Sequence, residues 1–104
     1  MAIKLGKYDF EGPYQSTRQI FDKPGVFAVL ATEPGAQAKF YLIDVGEAEK
    51  SRTIMESPDN LVKWTKAAHG LGKLAVAIHY SSDRTQAERA KIVEEVRKAF
   101  EGKR

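Results

Sequence analysis

Apolar residues along the chain gather into three strand-like runs and into stretches of helical spacing. GVFAVLA (25–31) is rich in Val, Phe and Leu and predicts a strand. TEPGAQ (32–37) holds Pro34-Gly35 and predicts a turn, and AKFYLIDVG (38–46) predicts a second strand. So short a loop between two strands makes an antiparallel hairpin. Both runs are almost continuously apolar, so both faces of the sheet are expected to be covered. EAEKSRTIMES (47–57) predicts a helix with Ala48, Ser51, Ile54 and Met55 inward and with Glu47 and Glu49 at its N-terminus, where the helix dipole favours acids. Ser57-Pro58-Asp59 breaks that helix. A second follows over 59–68, carrying Leu61, Val62, Trp64 and Ala68 and ending at His69-Gly70. KLAVAIHY (73–80) predicts a third strand. SSDRT can cap a last helix over about 84–101, with Ala87, Ile92, Val93, Val96 and Phe100 at helical spacing.

The first two dozen residues show neither period. Gly12-Pro13 and Pro24-Gly25 punctuate them, and the segment reads as irregular, with Phe10, Tyr14, Ile20 and Phe21 pinned onto the core. The order is then β-β-α-α-β-α. It implies a three-stranded sheet, a hairpin plus a third strand, covered by helices in the α+β class. At 104 residues, a single domain over 1–104 is expected, with 1–24 packed on it.

Composition narrows the classes. Cysteine is absent, which excludes disulfides and thiolate sites. No stretch reaches the roughly 18 apolar residues of a membrane span, and MAIKLGKYDF has no apolar run of signal-peptide length. A cytoplasmic protein with no membrane partner is the expectation. The net charge of +3 is unevenly spread. Residues 1–60 hold seven Lys/Arg against nine Asp/Glu, whereas residues 61–104 hold ten against five. The basic half suits an anionic partner such as a nucleic-acid backbone, although interleaved acids also fit a solvated helix face.

The residue that stands out is Asp44, an acid ending an apolar run. Three roles fit: a strand-end acid that caps the next helix or pairs with a cation, an anion- or metal-related group, or a catalytic carboxylate. Of His79 and Tyr80, one faces Asp44 by strand alternation, and a His/Asp/Tyr cluster suits acid–base work or a metal. The plainer reading is a partly buried pair hydrogen-bonded to its neighbours. Trp64 is the only tryptophan and reads as core, or as a stacking platform for a base if exposed. His69 fits a helix-dipole contact. Lys63, Lys66, Lys73, Arg84 and Arg89 form a candidate basic rim for phosphates.

Gly25-Val26-Phe27, Asp44-Val45-Gly46 and the run YLIDVGEAE…TIMESP…Trp64…GKLAVAIHYSS resemble the GIY-YIG nuclease superfamily, and most closely its small stand-alone bacterial members. The resemblance covers about residues 10–100. It implies phosphodiester hydrolysis by motif tyrosines, a helix arginine and a metal-binding glutamate. Residue by residue, the first tyrosine falls on Phe27, which has lost its hydroxyl. The second falls on Asp44, where the stand-alone relatives also carry Asp. The arginine falls on Ile54 and the glutamate on Val93.

Arg52 and Glu94 lie beside the last two positions but turn about 200° and 100° away on their helices. A slip of one residue in the last helix would exchange Val93 for Glu94. The resemblance therefore implies a degenerate site, with Ile54 and Val93 contributing burial instead of chemistry. The expected function is a binding module for DNA, RNA or another protein, without a cofactor. The candidate binding residues are Asp44, Arg52, Lys63, Lys73, His79, Tyr80 and Arg89. The alternative is a metal-dependent endonuclease with a rearranged site on Asp44, Arg52, His79 and Glu94, in which Asp44 and Glu94 would hold Mg²⁺ or Mn²⁺.

Overall fold

The computed structural model describes residues 2–32 and 40–100. The N-terminal segment is not irregular. Ile3 and Leu5 alternate with polar residues before Gly6-Lys7, and Tyr8 and Phe10 alternate with them after it. Chain on either side of a two-residue turn then pairs as strands β1 (Ala2–Leu5) and β2 (Tyr8–Tyr14), with Ile3 opposite Phe10 and Leu5 opposite Tyr8. Gly6 takes the left-handed conformation, φ +64°, that such a turn needs and that other residues adopt at a cost. Leu5 and Phe10 are fully buried.

Strands β3 (Gly25–Thr32) and β4 (Phe40–Ala48) form the expected hairpin, and β5 (Lys73–Tyr80) pairs with the other side of β3. The turn expected at 32–37 lies, beyond Thr32, outside the described residues. The sheet is not three-stranded. It has five antiparallel strands in the order β1-β2-β5-β3-β4, and the chain order gains two strands before the first expected one. The physical reason lies in β5. Without β2 its outer side would be an open row of backbone donors and acceptors, and β2 takes that place.

Helices cover both faces. Helix α1 (Ser51–Met55) and helix α2 (Pro58–Ala68) lie on one, where Ile20, Phe27, Val29, Ala48, Met55, Trp64, Val76 and Ile78 form a core. Helix α3 (Gln86–Phe100) lies on the other, over Leu5, Phe10, Val26, Ala28, Leu30, Leu42, Val45 and Ala77, and contributes Ile92, Val93 and Val96. The helix expected from residue 47 starts later. Residues 47 and 48 continue β4, because Val26 and Gly25 of β3 stand opposite them.

Gly46 is accordingly not a turn glycine. It lies within β4, opposite Phe27, whose ring occupies the space a side chain would need: a Cβ there would sit 2.6 Å from Phe27 Cζ. Phe21, expected on the core, is 64% exposed and packs loosely beside Tyr80. Ala87, expected inward on the last helix, is exposed. Among the described residues no helix is long and apolar enough to cross a membrane.

Candidate functional site

The register of the hairpin slips once. Val29 faces Asp44 and Leu30 faces Leu42, so Ile43 has no residue opposite it. Such a bulge turns two successive residues to the same side of the strand. Ile43 packs on the α1–α2 core, and Asp44 follows it to that face while Leu42 and Val45 face α3. Asp44 Oδ2 accepts the indole N–H of Trp64 at 2.9 Å, and Oδ1 accepts the backbone N–H of Val45 at 2.9 Å. Lys63 Nζ stands 3.7 Å from Oδ2, largely in solvent. Asp44 thus caps no helix. It satisfies the one polar atom of a tryptophan that is 1% exposed, together with a backbone donor at the bulge. Trp64 packs on Phe27 with ring centroids 5.9 Å apart, so it is core and offers no stacking surface.

His79 and Tyr80 point to opposite faces. Tyr80 is on the side of Asp44, but four residues along β5 from Val76, which shares Val29 as partner with Asp44. Its hydroxyl accepts the Phe21 N–H at 2.9 Å, and burial raises its pKa above the usual value. His79 is on the α3 face, opposite Val26, with Nδ1 at 2.8 Å from the Asp9 carbonyl and its ring against Tyr8 and Phe10. No His/Asp/Tyr cluster forms.

The other candidates are also separated. Arg52 is held by Glu56, Nε to Oε2 at 3.3 Å, on a carboxylate that also accepts from Thr17. The Thr17 hydrogen bond, then Arg52, holds the Glu56 carboxyl below its ordinary value. Ile54, expected to contribute burial, is 38% exposed. Val93 is buried in the α3 core and Glu94 is turned to solvent. Phe27 and Asp44 therefore share one face of the sheet while Val93 sits on the other. Asp44, Arg52, His79 and Glu94 do not converge, and among the described residues no three His, Asp or Glu side chains are grouped to hold a metal ion.

The basic rim divides as well. Lys63 and Lys66 ride on α2, and Lys73 begins β5, where its carbonyl accepts from Thr32. Arg84 belongs to the α3 side. Arg89 is 4% exposed and is no surface cation: its Nε meets Glu47 Oε1 at 3.0 Å and its Nη1 donates to the Arg84 carbonyl at 2.9 Å. A guanidinium can be buried only when its donors are met, and here it ties α3 to β4 and to the preceding turn.

A different basic feature emerges. Arg84, Glu88, Lys91, Glu95 and Lys98 follow a spacing of four, three, four and three, one stripe running from the turn before α3 along the helix. The β1–β2 turn approaches this stripe. Lys7, Tyr8, Arg84, Glu88, Lys91, Ile92 and Glu95 line a hollow of about 230 Å³, and a second, shallower one lined by Gly6, Lys98 and Ala99 adjoins it across Lys7 and Glu95. Lys7 lies 3.8 Å from Glu95, and Arg84 lies 3.9 Å from Glu88. The Tyr8 hydroxyl donates to Glu95. That bond, ahead of burial, raises the Tyr8 pKa, and it is the main cause holding the Glu95 carboxyl below its ordinary value. Four cations and two acids therefore share the groove. The period was legible in the sequence. The partner hairpin was not, because residues 2–14 read as irregular. Comparisons of the chain with family models, with curated proteins and with solved structures find no match.

Proposed function

We propose that the protein is a binding module without nuclease chemistry, and that its partner is a nucleic-acid backbone held in the groove between the β1–β2 turn and α3. The observation that carries this reading is the row Arg84, Lys91, Lys98 beside Lys7. Seven residues on a helix advance about 10 Å, and duplex DNA carries one phosphate per about 3.4 Å of axis on each strand. Lys91 and Lys98, one such step apart on α3, can therefore contact separate phosphates of one backbone. Among the described residues, Lys91 and Lys98 make no ion pair within 4.0 Å, and Lys91 acts on the Glu95 carboxylate only at longer range, which leaves both ammonium groups open to an external anion. The dispersal of Asp44, Arg52, His79 and Glu94 supports binding over a rearranged nuclease site, which needs its groups within reach of one phosphate.

A fluorescently labelled DNA duplex and a single-stranded RNA, titrated with the protein at several salt concentrations, test the reading. Binding is expected with a dissociation constant in the micromolar range at low salt, weakening linearly with the logarithm of salt concentration. Lys91→Glu with Lys98→Glu should weaken it and flatten the slope by about two, roughly one per lost phosphate contact. Absence of binding to both probes at about 50 mM salt would overturn the nucleic-acid reading. It would leave a protein-binding module, for which the exposed Ile54, Leu61 and Val62 of α1 and α2 provide apolar surface.

A further inference from the structure

The two hollows of the groove differ in chemistry. The first, of about 230 Å³, is walled by Tyr8, Arg84, Glu88 and Lys91, and polar atoms supply the larger share of its surface. The second, of about 420 Å³, is walled by Gly6, Lys98 and Ala99, and its surface is mostly carbon. Its lysines therefore turn their aliphatic stems to it and keep their ammonium groups in water. Small residues keep its floor low: a Cβ added at Gly6 would stand 3.5 Å from the Ala99 Cβ. Lys7 and Glu95 line both hollows and mark where they meet. The Glu95 carboxylate there is engaged, since its Oε2 accepts from the Tyr8 hydroxyl and lies 3.8 Å from Lys7 Nζ. The Tyr8 ring is engaged too, with Lys7 Nζ 5.6 Å from its centroid and the His79 ring set edge-on at 5.6 Å.

We propose that the groove takes a single strand, with backbone phosphate in the first hollow and an unpaired base in the second; this rests on the nucleic-acid reading above. A cation-lined hollow beside a carbon-lined one matches the two ends of a nucleotide, an anionic phosphate and a flat base face. In a duplex the base faces are stacked and covered, so only an unpaired strand can offer one. With the Tyr8 ring already engaged, the second hollow is the seat left for the base. The cations alone would give the opposite preference. A duplex has the higher charge density, and its salt slope is about −0.9 per phosphate contact against about −0.7 for a single strand. Tighter binding of a single strand is therefore a signature of the base seat and not of the lysine row.

Fluorescence anisotropy at low salt compares three labelled probes against the full chain: a DNA strand of mixed sequence, the duplex it forms with its complement, and an abasic deoxyribose-phosphate strand of equal length. The single strand is expected to bind about fivefold more tightly than either of the others, the lower end of what one seated base contributes. Ala99→Gln fills the second hollow with a polar side chain and leaves the charge unchanged, so it should bring the ratio of single-strand to duplex affinity toward one. The abasic comparison uses the unaltered chain and decides the question even if that variant does not fold. A duplex bound as tightly as the single strand, or an abasic strand bound as tightly as the base-bearing one, would overturn the base seat and leave the backbone reading standing. So would a single-strand preference that persists in folded Ala99→Gln. Absence of binding to all three probes would overturn both.

Discussion

Asp44 shows how one bulge decides a residue's role. A strand-end acid beside a glycine invites a catalytic reading, yet each carboxylate oxygen already accepts a donor that would otherwise lack a partner. Removing the acceptor leaves a buried indole N–H unsatisfied, at a cost of about 1–3 kcal/mol. Asp44→Ala should therefore lower the stability measured by urea unfolding by that amount. Asp44→Asn, which keeps one acceptor oxygen, should lose less. The Lys63 ion pair is solvated and contributes little to either result, so Lys63→Ala serves as the control and is expected to change stability by under about 0.5 kcal/mol.

Helix α3 carries one wall of the groove, so its start matters more than that of the other helices. Thr85 and Glu88 form a reciprocal cap: Thr85 Oγ1 accepts the Glu88 N–H at 3.2 Å, and Glu88 Oε1 accepts the Thr85 N–H at 2.9 Å. The Thr85 backbone donor is the first cause of the depressed Glu88 carboxyl. Thr85→Ala should cost about 1 kcal/mol, a fall in Tm of roughly 4–8 °C for a domain of this size. Calorimetry reads it. The cap was partly legible, since SSDRT marks a helix start by composition. Where α1 begins was not legible. Glu47 and Glu49 look like first-turn acids, but β3 holds residues 47 and 48 in the sheet and Arg89 claims Glu47.

Across the whole molecule the carboxylates give stability a pH dependence of definite sign. Asp22, Glu56, Glu88 and Glu95 all lie below their ordinary values, each through hydrogen bonds as the largest cause: Thr53 for Asp22, Thr17 for Glu56, Thr85 for Glu88 and Tyr8 for Glu95. Their contribution is complete above the ordinary values of 3.8 and 4.5 and drains away as pH falls through the depressed ones. Tyr8 and Tyr80 are raised above 10.0, so their contribution is complete below that pH and is lost as pH rises through the raised values. Tm should be level between about pH 5 and pH 9 and fall on both sides. A Tm that rises on acidification below about pH 4.5 would contradict the hydrogen-bonded carboxylates.

The sequence by itself determined the elements whose signal is local. The runs at 25–31, 40–46 and 73–80 are apolar enough to be strands in any context. Pro58, His69-Gly70 and Thr85 bound helices through their own backbone chemistry, and Ile92, Val93 and Val96 mark the inward face of α3. The alternation Ile3, Leu5, Tyr8, Phe10 about Gly6-Lys7 was also present, but short strands in a Gly- and Pro-punctuated segment gain their stability from the neighbour they pair with. That neighbour, β5, lies more than sixty residues along the chain. The tertiary structure alone decided the strand count, the face to which Asp44 turns and the burial of Arg89 against Glu47. Each depends on which distant group arrives beside a polar atom. The cost of leaving such an atom unpaired appears only after the sheet has closed and water has been excluded.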